Sequence, residues 1–352
     1  MPRDVLLVGS MALPTAEDVF TTVGSMLGDV VHRIPDGETG ARRYWLQCQT
    51  PFFLDNHQIE MVEQDPDKPG SYRHARIPSN GLYSPTQKGV YAGRARLMPG
   101  VDPKDLRFDN FGYADWAIES YRIFTQLKQA GRLPAATKFQ VCIPTTQVVI
   151  FSRIVFEEIP KIAPAYEAAI FREVERICAS IPHDELSIQW DCTEPVGWAA
   201  ADERRRREII RRMVSFEAPV AEDVELGYHL CYGDWEHKHM REPDDLAESV
   251  EMANLVSGAV RRPIGWVHMP VPRGRADDAY FAPLEGLRLH PETRLYLGLV
   301  HHTDGIEGTK KRIAAADKVV SDYGIATECG MGRRPAQTII ELLQIHKQAS
   351  KL

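Results

Sequence analysis

The stretch Tyr228-His229-Leu230-Cys231 sets an imidazole and a thiol two residues apart at the end of an apolar run. On an extended strand, residues i and i+2 point to one face, so His229 and Cys231 stand side by side. Imidazole and thiolate are the ligands that zinc favours. Cys329 leaves a second short run just before Gly330-Met331-Gly332-Arg333-Arg334, and His268 leaves a third, Ile264-Gly265-Trp266-Val267. His229, Cys231, His268 and Cys329 are therefore candidate metal ligands. The competing account is packing, because cysteine is among the most buried residue types and a lone His-x-Cys fills a core more often than it holds an ion. Position favours the ion: all four stand at C-terminal ends of strand-like runs, which share one rim in a closed parallel barrel.

Other ionisable residues recur at such exits. Ser10 follows the first run, Asp36 and Glu38 the second, and Asp191 and Glu194 the fourth, while His301, His302 and Asp304 follow the seventh. A barrel built for stability alone does not need them there, whereas the rim is where barrel enzymes do chemistry. A histidine poised near neutral pH can protonate a leaving group, which makes His301, His302 and Asp304 candidate catalytic residues. Arg333 and Arg334 read either as contacts for an anionic group or as the solvated start of the last helix.

The elements that must carry these residues are apolar runs at 5–9, 30–34, 138–143, 186–191, 224–231, 264–268, 295–301 and 323–327, with helical patterns between them. A helix of about 14 residues is expected from Thr15, with Thr15 as cap and Asp18 three residues on. Another is expected over 113–130, closed by Gly131 and followed by Pro134. Eight strand-helix units predict an α/β fold, a (β/α)8 TIM barrel forming one domain over 1–352. No Gly-x-Gly-x-x-Gly follows the first run, which argues against a dinucleotide-binding sheet. The rhythm breaks at 51–109, a stretch rich in Pro, Gly, Tyr and charge. It reads as a long insertion after the second strand without a sustained period, either a lid or subunit contact or a surface decoration. Tyr72, Tyr83 and Tyr91 would give such a lid aromatic surface.

Composition narrows the partners. The 352 residues are 43% hydrophobic and 26% charged, enough to bury a large core. A net charge of −7 and a pI near 6.0 give no electrostatic case for nucleic acid or an anionic membrane. The basic cluster at 204–207 with Arg211 and Arg212 is interleaved with Asp202, Glu203 and Glu208, the pattern of a solvated helix face. No run approaches the ~18 apolar residues of a membrane span. Six scattered cysteines and no signal-peptide pattern point to a reducing cytoplasm, where thiols serve metal or chemistry.

Taken together, Val8-Gly9-Ser10, Ile188-Gln189-Trp190-Asp191, His229-Leu230-Cys231 and Glu328-Cys329-Gly330 resemble the catalytic barrel of cobalamin-independent methionine synthase. That superfamily also holds uroporphyrinogen decarboxylase and zinc-dependent thiol alkyltransferases. His-x-Cys followed much later by Cys-Gly is the most specific part, and the pieces span most of the chain in the family's order. The resemblance implies zinc held by His229, Cys231 and Cys329; the family adds a glutamate at the end of the sixth strand, where this chain has His268. It implies that Asp191 holds the amine of an amino-acid thiol and Ser10 touches its carboxylate. The chain departs from the family where Asp191 is followed by Cys192-Thr193-Glu194-Pro195 instead of directly by Glu-Pro. Pro144-Thr145-Thr146-Gln147 also lacks the family's tryptophan for stacking a folate. The family's histidine after the seventh strand matches His302 or His301.

The expected function is zinc-dependent transfer of a methyl or other alkyl group to a small-molecule thiol. A free thiol has a pKa near about 8.5, and coordination to zinc removes its proton at neutral pH. The rival classes are a uroporphyrinogen-decarboxylase-like lyase, a zinc hydrolase with metal-bound water as nucleophile, and a zinc or thiol-ligand binding barrel without turnover.

Overall fold

Strands buried on both faces read as unbroken apolar runs, and all eight such runs form one parallel sheet. A computed structural model describes residues 2–45, 47–64, 72–74, 93–235 and 238–352. The strands are β1 (Val5–Leu6), β2 (Arg33–Pro35), β3 (Lys138–Pro144), β4 (Leu186–Cys192), β5 (Glu225–Leu230), β6 (Trp266–Pro270), β7 (Arg294–Val300) and β8 (Gly324–Thr327). They are hydrogen-bonded in the order β1-β8-β7-β6-β5-β4-β3-β2, every pair parallel. A parallel bridge between Val5 and Val31, with Val5 N donating to Val30 O at 2.8 Å, joins the ends of that order. The sheet thus closes into the expected (β/α)8 TIM barrel.

Outside it lie α1 (Ala16–Leu27), α2 (Tyr113–Gln129), α3 (Ile159–Ser180), α4 (Glu203–Ser215), α5 (Ala247–Ala259), α6 (Gly305–Ala316) and α7 (Gln337–Ala349). Thr15 and Asp18 cap α1 reciprocally, side chain to backbone in both directions, which fixes where the helix starts. The sixth unit carries only the short helix Asp278–Phe281 and the 3-10 turn Ala282–Gly286. On α4 three of the arginines are matched within the helix, Arg207 with Glu203 and both Arg211 and Arg212 with Glu208, as their interleaving predicts, while Arg206 pairs with Glu251 of α5. Among the described residues no helix is long and apolar enough to cross a membrane.

The floor of the barrel is polar, and its buried charges are paired. Arg33 donates to Glu225 through Nη2 at 2.7 Å and Nε at 3.2 Å, and to the Tyr296 hydroxyl at 3.3 Å. Its guanidinium lies over the Trp266 ring, 4.2 Å from the centroid. Burial alone would raise the Glu225 pKa, yet Arg33 and Ser187 hold it below the usual carboxylate range. Gly227 lies beside Trp266, since a Cβ there would come within 2.0 Å of the indole.

The stretch 51–109 contains more order than its sequence suggests. Ile59–Gln64, Tyr72–His74 and Arg94–Leu97 make a three-stranded antiparallel sheet. Ile59, Met61 and Val62 are buried, but so short an apolar run is masked by its polar neighbours. The sheet is anchored to the segment after β3: Ala95 bridges Ile154, and Arg94 Nη1 donates to the carbonyls of Phe151 and Ile154 at 3.0 and 3.1 Å. Tyr83 and Tyr91 lie outside the described residues, and Tyr72 is described by its strand backbone alone.

Candidate metal centre and substrate cleft

Parallel register aligns Asp191 of β4 and His268 of β6 with His229 of β5. One residue past β5 is Cys231, and Cys329 arrives from the exit of β8. Ligand atoms of His229, Cys231 and Cys329 all lie within 4.8 Å of one another, the two Sγ atoms 3.9 Å apart. His229 is buried, its Nδ1 is 2.6 Å from His268 Nδ1, and its Nε2 has no hydrogen-bond partner among the described residues. A buried ring nitrogen left without a partner is costly. A histidine that belongs to a cluster with two thiols has the chemistry of a zinc ligand, and a His-Cys-Cys set leaves a fourth tetrahedral position exchangeable. The residues present therefore fit the ion.

His268, expected as a ligand, is not in that three-residue cluster; it stands beside His229. Burial, and then His229, push its pKa well below the usual value, so it is neutral.

The centre opens into a cleft of about 490 Å³, counting its open mouth, which Ser10, Glu38, Arg43, Trp45, Asp191 and Arg333 help to line. Ser10 is held by the 330–334 turn: its carbonyl accepts from Met331 N at 2.6 Å and its Oγ from Gly332 N at 3.3 Å. A Cβ at Gly330 would lie 2.4 Å from that Oγ, so this approach requires glycine. Asp191 Oδ1 accepts from Gln189 Nε2 at 2.7 Å. Burial raises its pKa to about 6, although His229 and Gln189 pull the other way.

Glu38 sits in the left-handed region, at φ +46°, the one such non-glycine among the described residues. Its backbone N donates to Asp36 Oδ1 at 2.9 Å, while Asp36 Oδ2 takes Arg42 at 2.7 Å and Ser120 at 2.8 Å. Strain of this kind collects at functional sites. Burial first, and then Asp191, push the Glu38 carboxyl well above its usual range. A buried carboxyl raised further by a second buried carboxylate makes a site that a ligand cation would relieve.

The other expected residues are spread around this centre. Glu194 is buried beside Thr145, whose Oγ1 donates to it at 3.3 Å, and burial raises its pKa to about 7; it does not line the cleft. His301 is buried, with Nε2 2.9 Å from Val271 O and Nδ1 3.1 Å from Glu328, the neighbour of Cys329. Burial would raise the Glu328 pKa, but His301, His239 and Arg334 bring it down to about 2. His302 turns outward to Glu341 of α7 at 2.6 Å, and Asp304 pairs with Arg312 of α6 at 2.7 Å. The structure thus separates His301 from His302 and Asp304.

No family model matches the chain, and no curated protein matches it in sequence. Among solved structures, a B12-independent methionine synthase from Shewanella sp. W3-18-1 in complex with selenomethionine superposes with a TM-score of 0.57 and 13% identity over 97% of each chain. A putative vitamin-B12 independent methionine synthase from Listeria monocytogenes gives 0.51 and 12%, over 97% of this chain and 96% of that one. A methyltransferase from Methanosarcina mazei gives 0.50 and 10%, over 97% and 94%. This chain has their fold. At such identities the likeness is one of architecture, and the site must be argued from its own atoms.

Trp45 and Arg43 were not singled out from sequence, because they follow β2 in a segment without period. Glu38 stood out only as one rim carboxylate among several. Its one local clue is the Asp36-Gly37-Glu38 turn directly after a strand, where glycine (φ +77° at Gly37) permits a tight reversal.

Proposed function

We propose that this chain is a zinc-dependent transferase that moves a methyl or other alkyl group onto a small-molecule thiol. The observation that carries the reading is the convergence of His229, Cys231 and Cys329 in a cleft that also bears Glu38 and Asp191. These three residues would hold the ion, which would bring an incoming thiol to its thiolate form at neutral pH. In the reaction the donor C–X bond breaks with its electron pair on X, the new S–C bond forms, and the thiol proton is released: RSH + CH3–X → RS–CH3 + HX.

The chain's own residues bind and orient. Asp191 and Glu38 suit an ammonium, and Ser10, held against the glycine turn, suits the carboxylate of the same amino-acid thiol. His301 acts as a positioning residue, holding Glu328 and through it the strand exit that carries Cys329. The fold shared with B12-independent methionine synthases supports methyl transfer as the reaction class, and the selenomethionine complex of the Shewanella protein agrees with a methylated amino acid as product.

The test incubates zinc-loaded protein with homocysteine, coenzyme M or glutathione and a panel of methyl donors, reading thioether formation by mass spectrometry. Zinc-dependent thioether is the expected result. Turnover unchanged after zinc removal, or thiol binding with no turnover for any donor, contradicts the proposal.

A further inference from the structure

Beside the centre, β6 places His268. It is fully buried and in register with His229, the two rings 4.7 Å apart and tilted by 37°. Their Nδ1 atoms are 2.6 Å apart, hydrogen-bond distance. A bond between two neutral imidazoles needs one donor and one acceptor. If His229 is to offer a lone pair at Nε2, its proton must sit on Nδ1, which then donates to His268 Nδ1. Among the described residues His229 Nε2 is buried without a hydrogen-bond partner, which leaves that lone pair available, and His229 belongs to the cluster with Cys231 and Cys329; His268 Nε2 is likewise without one.

We infer that His268 is a positioning residue: it accepts the Nδ1–H of His229, fixing the tautomer and ring angle that aim Nε2 at the ion, and is not itself a ligand. The inference rests on the metal-centre reading above and sharpens it in two ways. The protein donor set is one imidazole and two thiolates, so their two negative charges balance a divalent cation. No protein carboxylate or second imidazole occupies the fourth position, and a substrate thiol enters there without displacing a side chain of the chain. Metal-bound histidines commonly give their second N–H to such a partner, although the usual acceptor is a carboxylate or carbonyl. Here the acceptor is uncharged, which keeps His229 less basic than a carboxylate partner would.

The test reads the metal and not turnover. X-ray absorption of the zinc-loaded wild type counts imidazoles, and cobalt-substituted wild type, His268→Asn and His268→Leu are compared by visible absorption and chelator competition. Asn carries an acceptor close to the position of Nδ1, and Leu removes it. One imidazole and two sulfurs are expected in the wild type. His268→Leu should keep the cobalt band pattern while affinity falls about 10–100-fold, and His268→Asn should recover most of that loss. Two imidazoles in the wild-type spectrum, or a changed cobalt band pattern in His268→Leu, overturns the inference and leaves the metal centre standing. A wild type that takes up neither zinc nor cobalt overturns both.

Discussion

The barrel buries charge at both of its ends, and the Arg33–Glu225 pair at the floor fares oppositely to the Glu38–Asp191 pair at the rim, where Glu328 is held down by its own partners. At the floor, Arg33 has Glu225 and Tyr296 as partners and a tryptophan face beneath it, and the Glu225 carboxyl is held below its usual range. At the rim, Glu38 and Asp191 are pushed above theirs and His229 keeps a buried nitrogen without a partner. Both clusters arise from polar residues on the strands of one sheet or on the turns that follow them. The difference teaches that a buried polar group completed by the fold serves the fold, whereas one that the fold leaves incomplete is shaped for something that arrives later.

Breaking the floor should cost the most stability. Arg33→Ala leaves Glu225 with only Lys138, at 3.8 Å, as a cation among the described residues, and chemical denaturation should show a loss of up to about 3–5 kcal/mol. Removing a rim carboxylate should do the reverse. Glu38→Gln relieves repulsion with Asp191, so the unfolding midpoint should not fall, while calorimetry should show an amino-acid thiol binding about 1.5–3 kcal/mol more weakly. A large stability loss in Glu38→Gln would erase the contrast between the two ends.

The contrast also has a pH signature. Asp191 titrates at about 6 in the fold against 3.8 ordinarily, so the fold binds the extra proton and the ligand-free barrel loses stability as pH rises between those values. The ammonium of a ligand prefers the ionised carboxylate. Its affinity should therefore rise up to about tenfold per pH unit below 6 and level off above, a dependence that Asp191→Asn should flatten. The smallest effect is expected at His302, whose partner Glu341 is exposed on α7. His302→Ala should change stability by less than about 1 kcal/mol and leave thiol binding intact, as calorimetry and denaturation can check.

How much of this the sequence carried follows from the kind of order involved. The eight strands were legible because burial on both faces writes a continuous apolar run, and the Thr15–Asp18 cap because its partners are local. The convergence of His229, Cys231 and Cys329 follows from closure of the barrel, which the count of units implies. What stayed hidden depends on side-chain direction. Nothing local distinguishes His301, turned inward to Glu328, from His302, turned outward to Glu341. Likewise, the Nδ1 contact that sets His268 beside His229, and the left-handed turn that aims Glu38 inward, are properties of the assembled rim.

Metal analysis of the purified chain, alongside Cys231→Ser and Cys329→Ser, tests the centre most directly. The expected result is about one zinc per wild-type chain and its loss in each variant, with the circular dichroism spectrum and unfolding cooperativity of a folded barrel retained. Full metal content in either variant would contradict the centre described here.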